Sequence, residues 1–464
     1  MTALPSVVCL RHLCDTGGVT DIAVDVVVIG AGAAGLVALR ELDRGGVNVL
    51  AIEARNRIGG RVFTLHDPAA GLPVELGPEF IHGRPSEIFN ELKSANLAAY
   101  DVSGEALDID TATGRVRDDE GLSEAVDRLM DDLVKAGETE EDQPFSEWVA
   151  STAYSDAVKQ RATSFVEGFN AARRDVIGIA SLALDTRASD AIGADRNYRI
   201  FQGYDALLQH IFNGVTGAND KLRLNRVVEQ VEWKPGSATV HTRSMLTGTV
   251  ETIRCRKVVV TVPLGVLQAP PGDKGAIRFN PEPASILRAA TMLRFGQVVR
   301  IVLRFREPFW ESLQELSDAS FLFSQEPLFP TWWTARPVRT PIVVGWSAGP
   351  NPDTLLDRSE SEIVDAALAS FARITRFDAS RLCDLLEAAY LHKWNDDPFA
   401  RGAYSYVPAG ALDARETLAL PVADTLYFAG EATETTGHGG TVNGAMSTGF
   451  RAAAQVLTSL SGKT

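Results

Sequence analysis

A chain of 464 residues, 45% hydrophobic and 23% charged, has the make-up of a folded globular protein large enough for two or three domains, which excludes a disordered or low-complexity chain. Its 45 Lys and Arg against 60 Asp and Glu leave a formal charge of -15. That field repels phosphate backbones and anionic lipid, so nucleic acid is not an expected partner.

Residues 1–23 show no periodicity and read as an N-terminal extension. From Val24 the order is strand, glycine turn, helix, strand: VDVVVIG is a buried apolar run, AGAAGLVALREL continues at helical spacing, and VNVLAIEA is a second apolar strand. Gly30, Gly32 and Gly35 form a G-x-G-x-x-G directly between that strand and helix, and Glu53 ends the next strand 18 residues after Gly35. Gly30 permits the tight turn, Gly32 lets a pyrophosphate approach the positive helix end, and Gly35 lets helix and strand pack closely. Glu53 is placed to accept ribose hydroxyls. The cradle suits the ADP moiety of NAD or of FAD; the following EARNRIGGR, with a second glycine pair and Arg55, Arg57 and Arg61, favours the longer cofactor.

Residues 85–215 turn mostly helical, with Leu122, Val126, Leu129, Met130 and Leu133 on one stripe. Short strands return at 222–262. In 298–305 Val299, Ile301, Leu303 and Phe305 share one apolar face, and Val298, Arg300, Val302 and Arg304 a mixed one. A helix near 360–373 follows, then the strand TLYFAGEA and the helical VNGAMSTGFRAAAQVL. The expected fold is α/β: a Rossmann-like cofactor domain interleaved from 24–84, 217–290 and 395–464, with a mixed α+β substrate domain from 85–216 and 291–394.

Cys9, Cys14, Cys255 and Cys383 include no C-x-x-C pair, and no His stands at ligand spacing, so neither a disulfide framework nor a metal site is expected and the cytoplasm is the expected compartment. The start has neither the basic nor the sustained apolar segment of a signal peptide. The longest apolar run, Val26 to Leu39, is shorter than the ~18 residues a membrane span needs, so no membrane association is expected.

Together with ELGPEFIHG (Glu75 to Gly83), FVEGFNA (Phe165 to Ala171), VVVTVPLGVL, W-x-x-D-P-F-x-R-G-x-Y-S-Y (Trp394 to Tyr406) and YFAGEATETTGHGGTVNGAMSTGFRAA, the chain resembles the flavin-containing amine oxidases from about residue 24 to 458. The resemblance implies non-covalent FAD, because no cysteine stands in Gly402-Ala403-Tyr404. It implies that Gly30, Gly32, Ala34 and Gly35 bind ADP and that Glu53 and Ala54 lie at the ribose. Arg55, Gly60 and Arg61 are then expected along the pyrophosphate, Gly77, Pro78, Glu79 and Phe80 at the flavin ring, and Val228 at adenine. Gly430 and Glu431 would meet the ribityl or phosphate region, Trp394 the flavin, and Thr441 and Val442 its pyrimidine edge. The last helix, beginning at Val442, would place its positive end there.

The implied reaction removes a hydride equivalent from the carbon beside an amine nitrogen, leaving an imine, with dioxygen reduced to hydrogen peroxide. On the substrate side the resemblance points to His82, Phe169, Tyr404 and Thr441, with a lean towards polyamines or related amines. His82 reads equally as a satisfied core histidine. The family's G-x-x-x-K lysine near the flavin is replaced here by Arg300, which keeps its charge and cannot shuttle protons. A dehydrogenase using another electron acceptor, or a flavin binder without turnover, therefore stands as the alternative. The G-x-S-x-G at Gly345 to Gly349 is not read as a nucleophile elbow, because Gly349-Pro350-Asn351-Pro352 follows where a helix would have to start.

Overall fold

The computed structural model describes residues 21–117 and 120–462. Cys9 and Cys14, and most of the expected N-terminal extension, lie outside them. The apolar run after Val24 forms the central strand Val26–Ile29 of a five-stranded, all-parallel sheet. The strand order is Leu222–Arg223, Val49–Ile52, Val26–Ile29, Lys257–Val260, Leu426–Phe428. Four of these five strands are buried along their whole length, as the near-absence of polar residues in them requires.

The helices Ala33–Arg44 and Val442–Leu460 pack together on one face of this sheet, so the two ends of the chain share one core. Gly449 makes the contact possible: a Cβ there would stand 2.4 Å from the Ala34 carbonyl oxygen. On the other side lies a second five-stranded sheet ordered Asp21–Ala23, Val250–Cys255, Ser237–Ser244, Arg226–Lys234, Arg278–Asn280. Its first strand corrects the expected extension. Asp21–Ala23 pairs parallel with Thr252, Ile253 and Arg254, so ordered structure begins before Val24.

A six-stranded sheet stands apart from these two, ordered Leu386–Leu391, Val298–Phe305, Ile342–Ala348, Thr331–Thr334, Ala319–Ser324, Glu105–Ile109. Val299, Ile301, Leu303 and Phe305 enter an apolar core completed by the helix Glu360–Thr375, as their alternation predicts. The opposite face is also largely buried. The register aligns Arg300 with Trp346, Trp346 with Thr331, Thr331 with Phe323 and Phe323 with Asp108, one rung across the sheet. The neighbouring rung carries Val302, Val344, Trp333 and Phe321.

The helices Glu120–Thr139, Phe145–Ser151, Asp156–Asn170 and Ile179–Ala191 form a cluster around Leu129, Leu133, Phe145 and Val166. The mostly helical reading of 85–215 omitted three strands, Ala99–Asp101, Glu105–Ile109 and Asn197–Ile200. Each has three to five residues, too short for alternation to separate it from a loop. The match of Gly345 to Gly349 to a nucleophile elbow is settled by the strand Ile342–Ala348, which holds Ser347 fully buried.

Candidate active site

The first cluster is built on glycine backbone. Gly30 has φ +104°, and a Cβ there would stand 2.7 Å from Thr261 Oγ1. At Gly35 a Cβ would lie 2.0 Å from the Gly30 carbonyl oxygen, so helix and strand touch with no room for a side chain. Gly32 is different. Its nearest non-neighbour is the Gly59 oxygen, 3.8 Å from an added Cβ, so this glycine leaves space above the helix start rather than filling a contact. Gly32 is the N-cap and provides no side-chain cap, which leaves the first amide groups of a twelve-residue helix for an anion.

Gly59 and Gly60 complete the cradle from the other side: Gly32 and Gly59 form a parallel bridge, and a Cβ on Gly60 would lie 3.3 Å from the Gly32 Cα. The two glycine motifs read separately in the sequence thus form one surface. Arg57 takes a different part from the one its spacing suggested. Its guanidinium donates to the carbonyls of Ile58, Gly60 and Val62, bracing the glycine turn instead of facing outward.

Glu53 is buried at the end of the second strand, with Oε2 accepting from Ala31 N at 2.8 Å and Oε1 from Arg55 N at 2.9 Å. Each carboxylate oxygen keeps a lone pair for a further donor, as contact with a pair of ribose hydroxyls requires. Arg55 is fixed by Asp397 at 2.8 Å, and Asp397 also meets His392 Nε2 at 2.9 Å. Asn225 N donates to Arg55 O and Arg226 N to Glu53 O. The strand Arg226–Lys234 is thereby held against this corner, with Val228 buried beside a bulge. Ala34 is buried and Ala54 half-buried.

A second cluster joins residues far apart in sequence. Arg61 Nη1 donates to Glu431 at 2.8 Å and to the Ala403 carbonyl at 2.6 Å. The other oxygen of Glu431 accepts from Ser405 Oγ at 2.6 Å and from the amides of Ser405 and Gly440. Burial drives the Glu431 carboxyl upward, but Arg61 and the Ser405 bond outweigh it and hold the group ionised below its usual range. Gly430, half-buried with φ +127°, precedes it. Thr441 caps the last helix, its hydroxyl accepting from Gly444 N at 3.0 Å and donating to His438 O at 2.7 Å. That first turn, starting at Val442, holds no acidic side chain to oppose a bound anion.

The third cluster centres on the segment from Leu76 to His82. Trp394, buried, donates from Nε1 to Leu76 O at 2.8 Å. Arg300, reaching across from the six-stranded sheet, donates to Gly77 O at 2.7 Å and to the Glu79 carboxylate. Glu79 also accepts from Arg199 Nε at 2.5 Å and Trp333 Nε1 at 2.9 Å. Burial raises the Glu79 carboxyl, yet the two guanidinium groups prevail and keep it below the usual carboxylate range. Pro78 and Phe80 are half-buried beside them. Arg199 and Trp333 were not legible as site residues, since Arg199 sits in a four-residue strand and Trp333 in a strand of equal length. Asp397 and Ser405 were within reach, because both fall inside the W-x-x-D-P-F-x-R-G-x-Y-S-Y block.

His82 Nδ1 lies 2.6 Å from Asn197 Oδ1, and burial lowers its basicity below that of a free imidazole. A neutral ring that donates through Nδ1 keeps Nε2 as an acceptor. His82 packs edge-on to Phe169 at 5.3 Å, and Tyr404 donates its hydroxyl to Phe169 O at 2.7 Å, so three of the expected substrate-side residues meet. The Thr441 hydroxyl is engaged in the helix cap, and a Cβ on the adjoining Gly440 would stand 3.2 Å from the Tyr404 ring.

An interleaved parallel sheet with a glycine cradle, joined by the buried Arg300–Glu79 ion pair to the six-stranded sheet, is the architecture of a dinucleotide-dependent oxidoreductase. The family model described as flavin containing amine oxidoreductase matches residues 33–457, and the chain belongs to that family, whose members are flavoenzymes acting on amines. FAD is accordingly its cofactor, and the cradle fits it.

Among relatives, the chain is 28% identical over 458 residues to polyamine oxidase 4 of Oryza sativa subsp. japonica, covering 92% of this chain and 87% of that one. It is 26% identical over 497 residues to lysine-specific histone demethylase 1 homolog 3 of Arabidopsis thaliana, covering 93% of this chain but only 30% of the relative. In structure it resembles putrescine oxidase bound to putrescine, with a TM-score of 0.79, 19% identity and coverage of 95% and 100% of the two chains, a likeness that shows the fold. Among the described residues no helix is long and apolar enough to cross a membrane, and no group of three His, Cys, Asp or Glu could hold a metal.

Proposed function

We propose that this chain oxidises an amine to an imine, with dioxygen as electron acceptor and hydrogen peroxide as the second product. The observation that carries the reading is the clamp on Gly77 and Glu79. Arg300, from one sheet, fixes the segment that ends in His82, so that a neutral imidazole and a wall of aromatic rings stand together. When bound, FAD would supply the two-electron acceptor for the C–H bond beside the nitrogen.

The chain's own residues bind, orient and protect. The backbone of Gly30 to Gly35, with Ala34 in the helix, and of Gly59 and Gly60 takes the pyrophosphate; Glu53 and Ala54 take the ribose and Val228 packs at the adenine. Arg61, Glu431 and Gly430 hold the middle of the cofactor. Leu76 to Phe80 with Trp394 line its ring, and Thr441 and Val442 present the positive end of the last helix to it. Binding is non-covalent in this reading; among the described residues the free cysteines Cys255 and Cys383 lie in the second sheet and a peripheral helix. The segments 24–84, 217–290 and 395–464 act as the cofactor half, and 85–216 with 291–394 as the substrate half.

In this reading His82 Nε2 accepts a hydrogen bond from the amine and orients its nitrogen, while Arg300 keeps a fixed positive charge that moves no proton. That fixed charge also favours a second reading, in which an acceptor other than dioxygen takes the electrons. Anaerobic titration of the visible spectrum with mono-, di- and polyamines, followed by air, tests both. Bleaching with recovery and stoichiometric peroxide is the expected result. Bleaching that air does not reverse would establish the dehydrogenase, and a spectrum that no amine changes would overturn amine oxidation.

A further inference from the structure

The turn that leads from Glu434 to the last helix is pressed from three sides. Gly437, at φ +94°, lies under the helix Ile179–Ala191: a Cβ there would stand 2.5 Å from the Leu184 carbonyl oxygen and 2.7 Å from the Ala188 Cβ. Gly440 faces the Tyr404 ring. Between them Gly439 lies against the guanidinium of Arg415, in the space a side chain would otherwise fill. From inside, Glu434 accepts from Thr436 N at 2.8 Å and His438 N at 2.7 Å, and Glu431 accepts from Gly440 N at 3.2 Å. Thr441, the cap of the last helix, follows directly, so the shape of this turn sets where that helix end points.

Arg415 comes from the short helix Asp413–Ala419 and is 2% exposed. Its Nε and Nη1 have no hydrogen-bond partner. Asp185 Oδ1, on the helix Ile179–Ala191, stands 3.6 Å from Nη1, too far for a hydrogen bond, and is itself unpartnered. Glu431, which also feels the charge of Arg415, is already bonded to Arg61 and Ser405. Unbonded buried donors destabilise a fold, and a pair that only stitched two helices together would close the gap between them. The guanidinium is held instead against Gly439, two residues before the helix cap.

Asp185 belongs to the substrate half of the chain and Arg415 to the cofactor half. Burial pushes the Asp185 carboxyl up to about 7, while Arg415 opposes the rise and Glu434 adds to it. Glu434 in turn acts on Arg451 in the last helix. The negative charge of Asp185 therefore develops beside Arg415 as pH rises through neutrality.

We propose that Arg415 is a positioning residue for the bound flavin. It holds the turn 437–441 from behind and adds its charge to the positive end of the last helix, and Asp185 offsets that charge from the other half of the chain. The assignment rests on the reading proposed above, in which this helix end meets the pyrimidine edge of the flavin. Uptake of two electrons and one proton leaves a negative charge on that edge, which nearby cations stabilise.

The test uses the FAD-loaded protein and needs no amine. Deazaflavin-sensitised photoreduction with EDTA, in the presence of a reference dye of known potential, gives the ratio of reduced to oxidised flavin at equilibrium, at about pH 6 and about pH 8. Arg415→Met is expected to lower this ratio about tenfold at both pH values, and Arg415→Lys, which keeps the charge, to stay within about threefold of wild type. Asp185→Asn should raise the ratio several-fold at the higher pH, where the native carboxylate is ionised, and leave it unchanged at the lower, where it is neutral. Where Arg415→Met does not retain FAD, Asp185→Asn decides alone. Ratios equal to wild type in Arg415→Met, or in Asp185→Asn at both pH values, overturn the role of Arg415. Ratios that shift as expected while no amine bleaches the flavin uphold Arg415 and overturn amine oxidation; bleaching by an amine with all ratios unmoved overturns Arg415 and leaves amine oxidation standing.

Discussion

Arg300 and Glu79 form a buried ion pair across 221 residues of sequence, in which one guanidinium nitrogen bonds the carboxylate and the other the Gly77 carbonyl. Without Arg300 the buried Glu79 keeps Arg199 and Trp333 but loses a charge-assisted bond, and the Gly77 carbonyl loses its donor. Arg300→Ala should therefore lower holoprotein stability by about 2–3 kcal/mol in urea unfolding. Arg300→Lys keeps the charge but cannot form both bonds at once, so a loss of about 1–2 kcal/mol is expected. Equal unfolding midpoints for wild type and Arg300→Ala would show that Glu79 is satisfied by Arg199 and Trp333 alone.

Glu75, four residues from Glu79, behaves oppositely. Burial pushes its carboxyl up to about 8, against the bonds it accepts from Thr64 Oγ1 and Tyr204 N, both at 2.7 Å. The folded state therefore binds this proton more tightly than the unfolded chain, in which the group titrates near 4.5. Its contribution to stability is fully present below pH 4.5 and is lost as pH rises through about 8. Glu75→Gln, a neutral isostere that retains both neighbours, should match wild type at pH 4.5 and exceed it increasingly up to pH 8. Parallel stability curves over that range would mean that Glu75 is ionised throughout.

The cofactor corner was legible because its chemistry is local: Gly30, Gly32, Gly35 and Glu53 fall within one strand-helix-strand unit whose spacing follows from backbone geometry. Arg57 shows the limit of spacing. Three arginines beside a glycine pair look alike in sequence, yet Arg55 pairs with Asp397, Arg57 braces the turn and Arg61 reaches Glu431. The rung from Arg300 to Asp108 was not legible at all, since it depends on the register of five strands from three distant stretches of chain.

Glu53 makes two backbone hydrogen bonds and, in the function proposed, two more to ribose hydroxyls. Charge-assisted bonds of this kind contribute about 1.5–3 kcal/mol each, so Glu53→Ala should raise the FAD dissociation constant by at least tenfold. Glu53→Gln keeps the size and one acceptor and should fall between. Full flavin content in Glu53→Ala after extensive dialysis would remove Glu53 from the cofactor.

Ser347 is fully buried in a strand and its hydroxyl has no hydrogen-bond partner. Such a group is destabilising where it stands, so Ser347→Ala should leave stability unchanged or raise it by up to about 1 kcal/mol, with catalysis unaffected. Labelling of the native protein by a fluorophosphonate, abolished in Ser347→Ala, would contradict the burial.

Gly35 and Gly32 stand three residues apart and should respond to alanine in opposite ways. A Cβ on Gly35 would lie 2.0 Å from the Gly30 carbonyl oxygen, a backbone atom that cannot turn aside. Gly35→Ala must push the helix Ala33–Arg44 off the central strand, and an overpacking loss of about 3 kcal/mol or more is expected in apoprotein and holoprotein alike. At Gly32 an added Cβ meets nothing closer than 3.8 Å, so the apoprotein of Gly32→Ala should unfold within about 0.5 kcal/mol of wild type. The methyl group would instead occupy the space through which a pyrophosphate approaches the helix amides, and FAD affinity should fall by tenfold or more. Thermal unfolding and flavin titration of the two apoproteins separate these effects. Normal FAD affinity in Gly32→Ala would mean that the cofactor does not approach the helix over this glycine.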